Sequence, residues 1–87
     1  GGNIISNLEI YPNPSRDIFN ISFNSEYKQN LKIKILNVLG EIIYKEEKQQ
    51  FIGEYIKQIN LNNFGKGVYF LEIDTDRGLV NKKIILQ

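Results

Sequence analysis

Strict alternation of apolar and polar residues limits this chain more than any other feature. Phe19, Ile21 and Phe23 alternate with Asn20, Ser22 and Asn24, and Leu31, Ile33 and Ile35 alternate with Lys32 and Lys34. A period of two fits an extended strand with one buried face and one wet face. No helix-period segment is long enough to compete. The residue types agree: Ala and Met are absent, while Ile, Val, Phe and Tyr suit a pleated surface.

Turn residues cut the chain into seven expected strands, at 8–11, 18–24, 31–36, 41–48, 54–60, 68–75 and 79–86. Pro12 and Pro14 stop the first, because each lacks an N–H and fixes φ. Asn37 to Gly40 reverses the chain between the third and fourth, which should form a hairpin. The stretch 48–53 reads as a loop. Residues 61–67 read as a crossover, with Leu61 and Phe64 plugging one end of the core. Asp76-Arg77-Gly78 is a turn. Seven short antiparallel strands predict an all-β, immunoglobulin-like β-sandwich, with a small closed barrel as the rival. Such a sandwich would enclose roughly a dozen to fifteen apolar side chains.

Length allows one domain and one core: 87 residues bury roughly 60–65% of the surface exposed on unfolding. Residues 1–7, opening on Gly1-Gly2, read as a linker remnant, and 8–87 as the domain. The formal charge is +1, with both signs spread along the chain. That leaves no footprint for nucleic acid and no basic membrane patch. No apolar run approaches a membrane span. Without His or Cys, Ser-His, Cys-His and His-ligated metal chemistry are closed to this chain. No cofactor is expected, and the chain does not read as an enzyme. Glu46 and Glu47 are adjacent, so on a strand they face opposite ways. Asp74-Thr75-Asp76-Arg77-Gly78 could begin a calcium loop but lacks the further oxygens, and reads as a polar turn. Asn20-Ile21-Ser22 is a formal glycosylation triplet that reads as ordinary strand alternation. Phe19, Phe23 and Tyr69 fall on inward faces and are expected in the core. Tyr27, Tyr44 and Tyr55 are left for a sugar-binding stripe.

Four short boxes follow in order. They are Tyr11-Pro12-Asn13-Pro14-Ser15, Asn37-Val38-Leu39-Gly40, Gly67-Val68-Tyr69-Phe70-Leu71, and Lys82-Lys83-Ile84-Ile85-Leu86. Each alone is explicable as β-structure, and lysines on a terminal strand also discourage edge aggregation. Together, from about Leu8 to Gln87, they resemble the type A C-terminal sorting domains of the Bacteroidetes type IX (Por) secretion system. The resemblance rests on Pro12, Asn13 and Pro14; on Leu36, Asn37 and Gly40; on Gly67, Tyr69, Leu71 and Ile73; and on Lys82, Lys83, Ile84, Ile85 and Leu86.

The resemblance implies a folded tag at the end of a secreted cargo. It implies passage through the periplasm and outer membrane to the surface or the medium. The implied partners are the outer-membrane type IX translocon and its shuttle proteins, a surface sortase-like signal peptidase, and an upstream cargo domain. The implied cut lies near Gly1 to Asn7. The terminal strand is expected to offer a free edge for β-augmentation. Two other readings stand beside this one: a structural immunoglobulin-like spacer or adhesion module, and a carbohydrate-binding module.

Overall fold

The computed structural model describes residues 5–87. Among them are five strands and no helix: β1 (Ser6–Tyr11), β2 (Ile18–Leu36), β3 (Ile42–Asn60), β4 (Gly67–Thr75) and β5 (Gly78–Leu86). All pairings are antiparallel. β2 is central along its whole length. β3 runs along one of its edges. The other edge carries β1 on the first half of β2 and β4 on the second half. β5 then pairs with β4.

The expected strand count of seven is therefore five. The strands expected at 18–24 and 31–36 are continuous as β2, and those expected at 41–48 and 54–60 are continuous as β3. Two separate stacked sheets are replaced by one sheet curled into a half-barrel. Length explains the curl. A straight strand of 19 residues would span roughly 60 Å, yet the longest dimension of the molecule is 36 Å. β2 and β3 must both fold back.

Bulges make the bend. Gln49 and Gln50 together face Asn30, between the pairs Gln29–Phe51 and Leu31–Lys48. Gln50 takes φ 51°, and its N–H donates to Asn30 Oδ1 at 3.0 Å. One extra residue flips the alternation of β3. Tyr44 and Glu46 are half-buried before the bulge, and Tyr55 and Ile59 are buried after it. Closer to Ser25, residues 26–28 of β2 face only Ile52. Two extra residues leave the phase of β2 unchanged, so Phe23, Ser25, Gln29 and Leu31 all face inward. Ser25 Oγ accepts from Gln29 Nε2 at 2.9 Å, giving these buried polar side chains a bond at the corner.

Both halves of β2 line one core. Phe19, Ile21, Phe23, Leu31, Ile33 and Ile35 share a cluster with Tyr55, Ile59, Leu61, Tyr69, Leu71, Ile73, Ile84 and Leu86. Burying each such side chain contributes about 1.5–3 kcal/mol. Phe23 stacks on Tyr55 with centroids 4.7 Å apart, and Phe51 meets Tyr55 edge-on. Leu61 plugs the core as expected, while Phe64 stays 37% exposed. The open side of β3 is closed by polar groups: Tyr55 Oη donates to Glu46 Oε1, and Lys57 Nζ lies 3.6 Å from Glu46 Oε2. Burial and the Glu46 carboxylate push the Tyr55 hydroxyl pKa well up.

Candidate functional site

The Pro-Asn-Pro box begins where β1 stops pairing with β2, at Tyr11 opposite Asn20. Pro12 and Pro14 offer no N–H, so backbone pairing cannot continue across them. Asn13 supplies the missing groups from its side chain, whose amide carries both donor and acceptor like a peptide group. Its Nδ2 donates to the Lys83 carbonyl at 3.1 Å, and its Oδ1 accepts from the Ile85 N–H at 3.0 Å. Ser15 then resumes with its backbone. Its N–H donates to the Ile85 carbonyl at 3.0 Å, and its carbonyl accepts from the Gln87 N–H at 2.8 Å. Ser15 thus forms a short parallel bridge to Leu86.

The third box lies on the other edge of the same strand. Gly67, Val68, Tyr69, Phe70 and Leu71 pair in turn with Leu86, Ile85, Ile84, Lys83 and Lys82. Tyr69 is buried, and its hydroxyl donates back to the Gly65 carbonyl, pinning the crossover. The end of β5 therefore has a neighbour on each edge: the Gly67 box by backbone pairing and the Asn13–Ser15 segment by mixed side-chain and backbone bonds.

The Asn37 box is a turn held by one side chain. Asn37 Oδ1 accepts from Leu39 N–H at 3.0 Å and Glu41 N–H at 2.9 Å, and its Nδ2 donates to Glu41 at 2.8 Å. Gly40 takes φ 82°, where a side chain would be strained. Leu36, Phe70 and Lys83 stand in one row across β2, β4 and β5. The turn beyond Leu36 is thus at the same pole as Gly67 and Leu86. All four boxes meet at this pole. β1 starts at the opposite one: Ser6 pairs with Asn24, and its hydroxyl donates to Glu26 beside the bend.

Several expectations change at this level. The outer edge of β5 is not free from Lys83 to Gln87, because Asn13 and Ser15 occupy it. Among the described residues, the edge from Gly78 to the Lys83 N–H has no strand beside it, and it faces a shallow groove lined by Leu8, Ile10, Asn13, Lys82 and Lys83. Lys82 holds an inward position in the alternation, between half-buried Val80 and buried Ile84, and is nevertheless exposed at this open seam. Ser15 closes the first box but carries no expected role in the sequence, although it is buried and its hydroxyl accepts from Asp17 N–H and donates to the Ile18 carbonyl. Its position directly after Pro14, two residues past the proline-flanked Asn13, is the only local signal. The aromatic stripe does not form: Tyr55 is buried, Tyr44 is half-buried, and Arg77 covers the Tyr27 ring at 4.2 Å. Asp74 to Gly78 forms the polar hairpin end expected, with the turn at Asp76 and Arg77, and Thr75 Oγ1 accepts from Arg77 N–H and donates to the Gly78 carbonyl. Of the expected linker 1–7, residues 1–4 lie outside the described residues, and Ser6 and Asn7 belong to β1.

Comparison with known families matches residues 9–87 to the secretion system C-terminal sorting domain, Por_Secre_tail. The chain belongs to this family. The match covers all four boxes, and with it the pole they build. Two relatives are similar across almost the whole chain. An endo-acting ulvan lyase of Formosa agariphila is 32% identical over 85 residues, which is 97% of this chain and 16% of that protein. Ulvan lyase NLR42 of Nonlabens ulvanivorans is 29% identical over 83 residues, 94% of this chain and 15% of that protein. The sorting domain thus spans about one sixth of the length of these relatives. Membership implies recognition by the type IX secretion machinery and export across the outer membrane to the cell surface or beyond.

Proposed function

We propose that this domain is the export tag of a cargo attached ahead of β1, and that the pole where the four boxes meet is the surface the machinery reads. One observation carries this reading: Ser6 starts β1 at one end of the molecule, while Asn13, Asn37, Gly67 and Lys83 gather at the other. A cargo at the Ser6 end leaves the box pole uncovered. The partners in this reading are the translocon, its shuttle proteins and a sortase-like peptidase at the surface. The peptidase would cut ahead of β1, since a paired strand does not fit a protease cleft. An ulvan lyase is the kind of cargo the relatives suggest.

The pole also carries the most exposed apolar side chains of the described residues. Val38 is 70% and Leu39 81% exposed, beside a shallow depression lined by Leu36, Phe70 and Glu72. Together these side chains offer apolar surface suited to contact with a partner.

The test fuses the chain behind a fluorescent protein bearing a signal peptide, in a Bacteroidetes host with an intact type IX system. Charge reversal at exposed Lys82 and Lys83 (K82E/K83E) leaves the core untouched. Export of the unaltered fusion should require the translocon, and the double reversal should cut it severalfold. Translocon-independent release would overturn the tag reading.

A further inference from the structure

The edge of the terminal strand is closed where a pairing partner would be expected to dock. Among the described residues, antiparallel β5 has only β4 as a full strand neighbour. Its outer groups from the Lys83 C=O to the Gln87 N–H are nevertheless taken, by Asn13 at the Lys83 C=O and Ile85 N–H and by Ser15 at the Ile85 C=O and Gln87 N–H. The remaining stretch carries Lys82 on an inward-facing position, a placement that obstructs edge-to-edge pairing.

We propose that Asn13 is the positioning residue of the terminal strand. It takes the place of a missing strand, holds β5 against the core, and excludes partner strands from its edge. The secretion machinery then reads β5 through its outward side chains, Lys83 and Ile85, and through its tail, and not by strand addition. This inference rests on the sorting reading above, but its first half is measurable without it.

The geometry also accounts for the composition of the box. Proline at 12 and 14 removes the backbone N–H on either side of Asn13, so the side-chain amide carries the pairing there. Any side chain without both a donor and an acceptor at amide spacing would leave either Lys83 O or Ile85 N unpaired at this edge.

The experiment has two arms on the full chain. Amide hydrogen exchange is measured on the unaltered domain, Asn13→Ala and Asn13→Asp. Export of the reporter fusion is measured for the same three and for Ile33→Val, a core trim on β2 away from the box pole. In Asn13→Ala the Ile85 amide should exchange about tenfold faster, with the Ile35 and Leu71 amides unchanged, and export should fall several-fold. Asn13→Asp keeps the acceptor and loses the donor, and should lie between the two. Ile33→Val should export like the unaltered chain. Unchanged Ile85 exchange in both Asn13 variants would overturn the clamp. Faster exchange with undiminished export would overturn its role in sorting. Equal loss of export in Ile33→Val would assign the effect to general stability and overturn positioning. Retention of the unaltered fusion in the periplasm would instead overturn the sorting reading, with the exchange arm still deciding whether Asn13 holds the strand.

Discussion

Single side chains close this fold where backbone pairing stops. Asn37 collects two backbone N–H groups and Glu41 at the hairpin tip. Asn37→Ala should lower stability by about 1 kcal/mol, since the exposed groups recover water in part. A shifted urea midpoint with an unchanged slope would be the signature. Tyr69→Phe removes only the bond to the Gly65 carbonyl and should cost a similar ~1 kcal/mol. Tyr55 adds a dependence on pH. Burial, then the Glu46 carboxylate, raise its pKa above the ordinary 10.0. The folded chain therefore keeps a proton that the unfolded chain releases. Its contribution is complete below pH 10 and declines as pH rises further. Stability measured at about pH 8 and about pH 11 should fall between the two, and less steeply in Tyr55→Phe.

At the scale of elements, the bulges decide how two 19-residue strands share one core. Gly53 takes φ 97° opposite Ser25, with open space where a Cβ would sit. Gly53→Ala should therefore cost only the backbone strain, about 1–2 kcal/mol. Circular dichroism should show the strand content retained. The last strand behaves differently. Ile84 and Leu86 are fully buried, so removing residues 82–87 takes out core as well as signal. Losing two such side chains exceeds roughly 4 kcal/mol, a large part of the 5–15 kcal/mol typical of a domain. The truncated chain should be largely unfolded by thermal denaturation. Lost export in that truncation would then report unfolding, which is why exposed Lys82 and Lys83 make the cleaner test.

The whole molecule is polar in the geometric sense. Its bend, the β4–β5 turn and the start of β1 share one end. There Asp76 Oδ2 accepts from Asn30 N–H and Arg77 covers Tyr27. The four boxes occupy the other end. A folded protein joined ahead of residue 1 should leave export intact. The same protein joined after Gln87 should block export, because Gln87 is tied to Ser15 within the box pole. Fractionation of the two fusions, with fluorescence confirming that both fold, checks this.

The all-β class, the inward faces and the turns at Asn37 and Asp76 were legible in the amino-acid order alone. Local alternation and turn chemistry act over a few residues, and residues such as Ile33 and Asn37 behave as those rules require. The order of the boxes also carried the family. The merging of seven expected strands into five was not legible. Residues 25–30 and 48–53 look like loops, and only pairing across β2 and β3 turns them into bulges. The meeting of Asn13 with Lys83 and Ile85 was equally hidden, since some 70 residues separate them. The edge of β5 became available to Asn13 only because the sheet curls and brings the end of β1 beside the last strand. Alternation is a property of neighbours in sequence; an edge is a property of the finished sheet.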